Sequence, residues 1–444
     1  MFIDFIIERF KENPGHDAVI WNDKSYSYRD LYEKYNFWLD FLVKNTPKGA
    51  VVAVRADYNP DSIGLMLALI EHGNIFVPFS FANKDIAEKI ESAEVEFYIK
   101  FHPEGSHEFI TTGIQAQHEL IKVIRERQHP GVIVFSSGST GKPKAALHDF
   151  TYLLSKFKVQ RSTLRTITFL LFDHWGGINT LLYILSNIGL IGVPSVRSAE
   201  EVCRFIEKYK IELLPTTPTF INLILISKAF EKYDISSLKV VSYGTEMMPE
   251  STLKAFNTLF PQIELKQTYG LTELGVMRTK SESNDSLWLK VGGEDYQTKI
   301  VDNILYIKAK TSILGYLNAP SPFDAEGWYN TGDRVEQKGD WIRFLGRESD
   351  IINVGGQKVF PAEVESVLMQ MDNINEASVY GTKNPIMGNV VAAKIILEKE
   401  ENLNELKSRI RKFCKDKLEP FKIPVHIEIV SETSVSERFK KVRK

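Results

Sequence analysis

Cysteine is scarce: Cys203 and Cys414 are the 2 cysteines in 444 residues. Two thiols cannot form a disulfide framework or build a Cys-rich zinc site. Net charge is scarce as well. The 55 Lys plus Arg against 57 Asp plus Glu leave a formal charge of −2. That balance gives no bulk electrostatic reason to expect nucleic acid or an acidic membrane as partner. Long hydrophobic runs are missing too, since no segment approaches the roughly 18 uninterrupted apolar residues of a membrane helix. The N-terminal MFIDFIIERFKE is interrupted by Asp4, Glu8, Arg9, Lys11 and Glu12, which breaks a signal-peptide core and reads as an amphipathic first helix. These absences point to a cytoplasmic globular protein without membrane insertion, long enough for two to four domains at roughly 100 to 200 residues each.

What is present is an α/β rhythm. VVAV at 51–54 reads as a buried strand, PDSIGLMLALIEHG as a helix opened by Pro60 and Asp61 and stopped by Gly73, and IFVPF as the next strand. Strand, helix, strand in that order argues for parallel α/β units. The rhythm returns with TITFLLF as a strand, a helix through TLLYILSNIG, then AEEVCRFIEKYK, IELLPTTP, FINLILISKAF and LKVVSYG. After about residue 290 the pattern changes to alternating segments such as KIVDNILYIKAK and DWIRFLG, as in a small antiparallel sheet or barrel. Beyond Gly346, helical and strand segments alternate in a compact α+β unit. The expected division is a large α/β domain over 1–348 and a small domain over 349–444.

The most informative string is VIVFSSGSTGKPKAALH. An apolar strand, Val132 to Phe135, runs into Ser136, Ser137, Gly138, Ser139, Thr140, Gly141, Lys142, Pro143 and Lys144. Glycines let backbone N–H groups turn toward an anion, hydroxyls add donors, and Lys144 adds a positive charge. Such a loop binds polyphosphate. A Walker P-loop requires Ser or Thr after its Gly-Lys and a glycine five residues before that Gly. Here Pro143 follows Lys142, and Ser136 stands where the first glycine belongs.

FSSGSTGKPKA resembles the phosphate loop of the adenylate-forming superfamily, which includes acyl-CoA synthetases, luciferases and the adenylation domains of peptide synthetases. Further strings resemble its motifs in the same order. QTYGLTELG is similar to the segment whose aromatic ring packs on adenine, whose Thr contacts the α-phosphate and whose Glu ligates magnesium. The resemblance carries these roles to Tyr269, with Gly270 beside it, Thr272 and Glu273. A hard cation held by one carboxylate plus phosphate oxygens is sound chemistry. SYGTEMMPES places Gly244, Thr245 and Glu246 at the turn along the adenine. YNTGD makes Asp333 the ribose ligand, a bidentate acceptor for two hydroxyls. FLGRESDIINVGG puts Arg347 near ribose and phosphate, and Ser349 at the hinge where the family usually has Asp or Lys.

The family's catalytic lysine lies near the C-terminus, and here the pattern departs, because SVSERFKKVRK has no glycine. Lys440 keeps a hydroxyl four residues earlier and an arginine three later, in Ser436 and Arg443. Lys441 keeps a hydrophobic neighbour, Val442. Lys440 is slightly favoured.

For the acid, LLFDHWGGINTLLYIL resembles the family's substrate-entry stretch. His174, Trp175, Gly176 and Gly177 match the Phe-His-x-x-Gly of acyl- and aryl-CoA synthetases, whereas Phe172-Asp173 offers half of the amino-acid pattern. An α-amino substrate requires Asp173 to point inward. PTTPTFIN adds Thr219, Phe220 and Asn222 as the next wall.

The resemblance implies two half-reactions: a carboxylate and MgATP give an acyl-adenylate and pyrophosphate, then a thiol gives a thioester and AMP, with the small domain rotating between them. Three readings follow: a CoA ligase, an enzyme loading the phosphopantetheine of a separate carrier protein, and a nucleotide-binding protein that has lost catalysis. The implied ligands are ATP, Mg2+, coenzyme A or carrier pantetheine, and a small carboxylic acid.

Overall fold

A computed structural model describes residues 1–83, 85–137 and 142–431, with the side chain of Ser137 excepted. Among these residues two seven-stranded sheets make the large α/β layer system. The first runs in the order Gly315–Tyr316, Pro143–Asp149, Gly131–Ser137, Ile75–Phe79, Val51–Arg55, Phe97–Phe101, His107–Thr111. Its four central strands are parallel and its edge pairings antiparallel. The second contains the parallel neighbours Thr166–Ile167, Leu213–Thr216, Val240–Tyr243 and Glu264–Gln267.

The helix Pro60–His72 shows why the sequence folds this way. Asn59 and Ser62 form a reciprocal capping box and Pro60 occupies the first turn, where its missing N–H is no loss. The helix is buried along nearly its whole length because it belongs to the main core shared by both sheets. Such all-round apolarity is the mark of a helix sandwiched between layers.

A six-stranded antiparallel sheet follows, including Tyr329–Lys338 and Trp341–Arg347. After a short 3-10 turn at Glu348–Asp350 the chain enters a separate five-stranded sheet with its own core, including Val359, Val364, Ile395 and Ile410. The large and small units touch where Asn222 donates from Nδ2 to the Asn375 carbonyl at 3.2 Å.

One strand is much shorter than its sequence suggests. TITFLLF pairs only over Thr166–Ile167, because its partner strand Ile191–Val193 is three residues long. Beyond Thr168 the apolar residues serve packing, with Phe169 and Phe172 buried in two different cores. No described helix is long and apolar enough to cross a membrane.

Candidate active site

Two antiparallel strands create the first corner of the site. Register sets Asp333 directly opposite Arg347. Asp333 is buried; its Oδ2 accepts from the Tyr269 hydroxyl at 2.5 Å and its Oδ1 from Arg347 Nε at 3.2 Å. Its own N–H donates to Thr331 Oγ1 at 3.0 Å. Burial raises the Asp333 pKa above the ordinary carboxylate value, and the Arg347 charge and the Tyr269 bond pull against it. Burial works against the Arg347 charge, but the Asp333 carboxylate together with Tyr269, Tyr329 and Asp350 outweighs it, so Arg347 is held firmly charged. The Tyr269 ring stacks on Phe344 at 4.6 Å between centroids. Burial, then the adjacent carboxylate, pushes its hydroxyl well above the usual tyrosine value.

The second corner is built around a residue that the motifs did not single out. Tyr316 donates to Glu273 Oε1 at 2.5 Å, and Glu273 is itself buried. The hydroxyls of Ser136 and Tyr329 adjoin that of Tyr316. Lys144 Nζ lies 5.2 Å from the centre of the Tyr316 ring. Residues from both ends of the glycine-rich loop, Ser136 and Lys144, therefore converge on the tyrosine that orients Glu273. Asn318 clips the returning strand, accepting from Ala145 N and donating to the Pro143 carbonyl, each at 2.9 Å. Thr272 precedes Glu273 in a tight hairpin, Gly270–Leu271 pairing with Gly275–Val276. Its carbonyl meets Nε2 of the fully buried His148 at 2.6 Å.

Between the corners runs the turn at Gly244. A Cβ on Gly244 would lie 2.4 Å from Thr268 Oγ1 and 2.8 Å from the Thr268 carbonyl, so the close approach of these strand ends requires glycine. Thr245 follows at φ 71°, a left-handed conformation that non-glycine residues adopt at a cost. Glu246 then accepts from Thr219 Oγ1 at 2.6 Å.

On the acid side the structure sorts the expected residues into two groups. His174 caps the helix Trp175–Ser186, its Nδ1 accepting from Gly176 N at 3.1 Å, which puts the neutral ring's proton on Nε2. Thr219 joins Glu246, and both line a crevice that also includes Asn222 and, from the small unit, Glu365 and Glu376. Trp175 and Phe220, expected in the substrate wall, are core residues. Trp175 stacks on His148 at 5.0 Å and 10°, and Phe220 is 0% exposed with its ring 4.1 Å from that of Phe169. Asp173 is buried and accepts from Asn83 Nδ2 at 2.5 Å, toward the first sheet rather than toward Thr219 and Glu246. Gly177 is fixed by packing, since a Cβ there would come within 2.2 Å of the Tyr58 hydroxyl.

Ser349 is exposed and donates to Asp350 Oδ1 at 3.0 Å in the 3-10 turn between the units. Gly138, Ser139, Thr140, Gly141, Lys440 and Lys441 lie outside the described residues, as does the side chain of Ser137. Among the described residues no group of three His, Cys, Asp or Glu side chains could cage a metal ion. A lone buried carboxylate such as Glu273 suits a cation whose other ligands come from phosphate and water, as magnesium prefers.

Similar proteins can now be set beside this geometry. 2-Succinylbenzoate–CoA ligase of Enterococcus faecalis is 24% identical over 95% of this chain and 93% of its own length. Gramicidin S synthase 2 of Brevibacillus brevis is 23% identical over 94% of this chain, which spans only 10% of that protein. Among solved structures, the anthranilate CoA ligase AuaEII in complex with anthranoyl-AMP aligns over 99% of this chain and 95% of its own at a TM-score of 0.82 and 20% identity. The o-succinylbenzoate CoA synthetase of Bacillus subtilis aligns over 99% and 97% at a TM-score of 0.78 and 19% identity. A family profile described as AMP-binding enzyme matches residues 7–303, and one described as AMP-binding enzyme C-terminal domain matches 363–440. The chain belongs to the AMP-binding enzyme family.

Proposed function

We propose that the protein is an AMP-forming acid–thiol ligase that activates a carboxylic acid with MgATP and transfers the acyl group to coenzyme A. The observation that carries this reading is the convergence on Tyr316 of Ser136, Lys144 and Glu273, beside the Asp333–Arg347–Tyr269 corner. One nucleotide would have its ribose hydroxyls on Asp333, its adenine along Gly244–Glu246 and the partly buried Tyr269 ring, and its phosphates at the glycine-rich loop. Glu273 would hold the magnesium ion, which when bound neutralises phosphate charge.

In the first half-reaction the acid's carboxylate attacks the α-phosphorus and pyrophosphate leaves. Thr272 would donate to the α-phosphate. Lys440 or Lys441 would offset the charge that builds on the carboxylate and phosphate oxygens. In the second, a thiolate attacks the acyl carbonyl and AMP leaves. Neither step needs a covalent protein intermediate, so positioning and charge stabilisation dominate. The change from one sheet system to another across 348–350 suits a hinge at Ser349, dividing 1–348 from 349–444.

Coenzyme A is favoured over a carrier protein by the near full-length match to a CoA ligase. An acyl or aryl acid is favoured over an amino acid because His174 and Gly177 fit the Phe-His-x-x-Gly pattern of acyl- and aryl-CoA synthetases better than Phe172-Asp173 fits the amino-acid pattern. The test is acid-dependent pyrophosphate release across a panel of fatty, aryl and amino acids, followed by thioester formation with coenzyme A and with a holo carrier protein. Thioester on coenzyme A from a fatty or aryl acid supports the reading. Transfer to the carrier alone supports the loading alternative, and no release with any acid supports a non-catalytic nucleotide binder. Replacing Lys440 and Lys441 together by Ala should abolish pyrophosphate exchange while thioester formation from supplied acyl-adenylate persists.

A further inference from the structure

His148 ends the string VIVFSSGSTGKPKAALH, four residues after Lys144, and has no part in the phosphate loop itself. It sits near the end of the strand Pro143–Asp149 that returns from the glycine-rich loop, and it is 0% exposed. Both ring nitrogens face carbonyl oxygens: Nε2 meets Thr272 O at 2.6 Å and Nδ1 meets Thr311 O at 3.2 Å. A neutral imidazole carries one N–H and can satisfy only one of them. The shorter contact marks Nε2 as the donor, leaving the Nδ1 lone pair toward Thr311. Burial, which outweighs the two backbone contacts, brings the ring's pKa down to about 4 and so keeps it neutral.

We propose that His148 is a positioning residue for metal-bound nucleotide, using its Nε2–H bond to the Thr272 carbonyl to fix the Thr272–Glu273 pair against the strand that leaves the glycine-rich loop. The proposal rests on the adenylate-forming reading. Two residues earlier on the same strand, Ala146 pairs with Tyr316, which holds the Glu273 carboxylate. The backbone before Glu273 and the side chain of Glu273 are thus both referenced to one strand, through His148 and Tyr316. Behind the ring, Trp175 lies parallel to it at 5.0 Å, which stops the imidazole from turning away. Bonds from the neighbouring segment, Ile313 N to Glu273 O at 2.9 Å and Thr311 Oγ1 to Leu274 O at 2.7 Å, continue the same framework one residue further on. If His148 only filled space, the position of its N–H would not matter. If it positions Thr272, the donor must sit where Nε2 sits.

His148→Gln and His148→Asn separate these roles, because a glutamine amide reaches the Nε2 position and an asparagine amide reaches only Nδ1. The full chain is titrated calorimetrically with α,β-methylene-ATP, with Mg2+ and again in EDTA. With Mg2+, the Gln variant should bind within about threefold of wild type and the Asn variant about tenfold or more weaker, the scale of one buried hydrogen bond lost. In EDTA the loss in the Asn variant should shrink, because the metal carboxylate no longer contributes and only the α-phosphate contact of Thr272 remains. Equal losses in both variants, or a loss undiminished in EDTA, overturns the proposal. A measurement on wild type stands independently of how the variants fold: nitrogen NMR of 15N-histidine protein should show His148 as the Nε2–H tautomer, with its resonances shifting on addition of the magnesium nucleotide. An Nδ1–H tautomer overturns it. Wild type that binds no nucleotide would overturn the adenylate-forming reading itself, and the positioning role with it.

Discussion

The proposed nucleotide side and the proposed acid side of this site are built in opposite ways. Asp333, Arg347, Tyr269, Glu273 and Tyr316 are joined by direct side-chain hydrogen bonds, and their backbones are set by strand register or a tight hairpin. The acid side is mostly packing. Trp175 against His148, Phe220 against Phe169 and Phe172 against Tyr58 make a wall in which the same residue types serve core and substrate alike. Polar function on the first side depends on charge placed to within a fraction of an ångström. On the second it depends on volume, which a family can vary to change its acid without disturbing the nucleotide.

The largest effect that would test this contrast is removal of a charge from the nucleotide side. Glu273→Gln keeps the shape and an acceptor for Tyr316 but loses the metal-binding charge. It should lower kcat/KM for MgATP by about 10²-fold or more, the scale of deleting an electrostatic group from a catalytic site. Thermal unfolding should change little, and steady-state pyrophosphate release with varied ATP and Mg2+ gives the readout. An unchanged kcat/KM would mean that Glu273 is an ordinary buried carboxylate.

On the acid side the corresponding break should appear in stability instead. Phe220→Ala empties a fully buried site and should cost about 3–5 kcal/mol of folding stability. Thr219→Ala, one residue earlier, loses the bond to Glu246 and should cost no more than about 1 kcal/mol, while shifting the KM for the acid rather than for ATP. Denaturant unfolding of the two variants side by side, with KM measured for both substrates, makes the comparison. A Phe220→Ala protein with wild-type stability would return Phe220 to the substrate wall.

The same contrast explains what the sequence makes legible. The helix Pro60–His72 and the antiparallel segments after 290 follow from local signals, a cap with proline in one case and period-two alternation in the other. Asp333, Arg347, Tyr269 and Glu273 stand out because they fall in short strings that resemble the motifs of the adenylate-forming superfamily. Tyr316 and His148 carry no local signal: each gains its role from a partner far along the chain, Glu273 for one and Thr272 for the other. Trp175 reads as a pocket residue because it follows His174, yet its side chain turns back onto the core. TITFLLF reads as a long strand because apolar residues do not declare whether they pair or pack.

A smaller effect with an unusual sign comes from Asp333. Its pKa in the folded protein is raised by burial, so the stability it contributes is fully present below the ordinary carboxylate value near 3.8 and is lost as pH rises through the raised value. At neutral pH the ionised side chain therefore costs stability that the protein tolerates for nucleotide binding. Asp333→Asn should weaken ATP binding and, at pH 7, leave the thermal midpoint equal to or above that of wild type. The gain should disappear on acidification. A clear fall of the midpoint at pH 7 would mean that the Arg347 and Tyr269 contacts outweigh the desolvation.

A second pH-dependent effect comes from His148, which sits between the two sides. Its pKa is depressed from an ordinary 6.5 to about 4 by burial, so its contribution to stability is present above 6.5 and is lost as pH falls toward 4, because only the unfolded chain takes up the proton. The glutamine variant cannot titrate. Wild type should therefore lose more stability than His148→Gln between pH 7 and pH 5, and the two curves should run parallel above pH 7. Measuring denaturant midpoints of both proteins across that range isolates this one ring from the carboxylates, which titrate alike in each. If the difference between the two proteins does not change with pH, the native ring titrates as the unfolded one does; if wild type instead gains on the glutamine variant as pH falls, His148 is protonated in the native state, and the ring would then hold the carbonyls of Thr272 and Thr311 together rather than Thr272 alone.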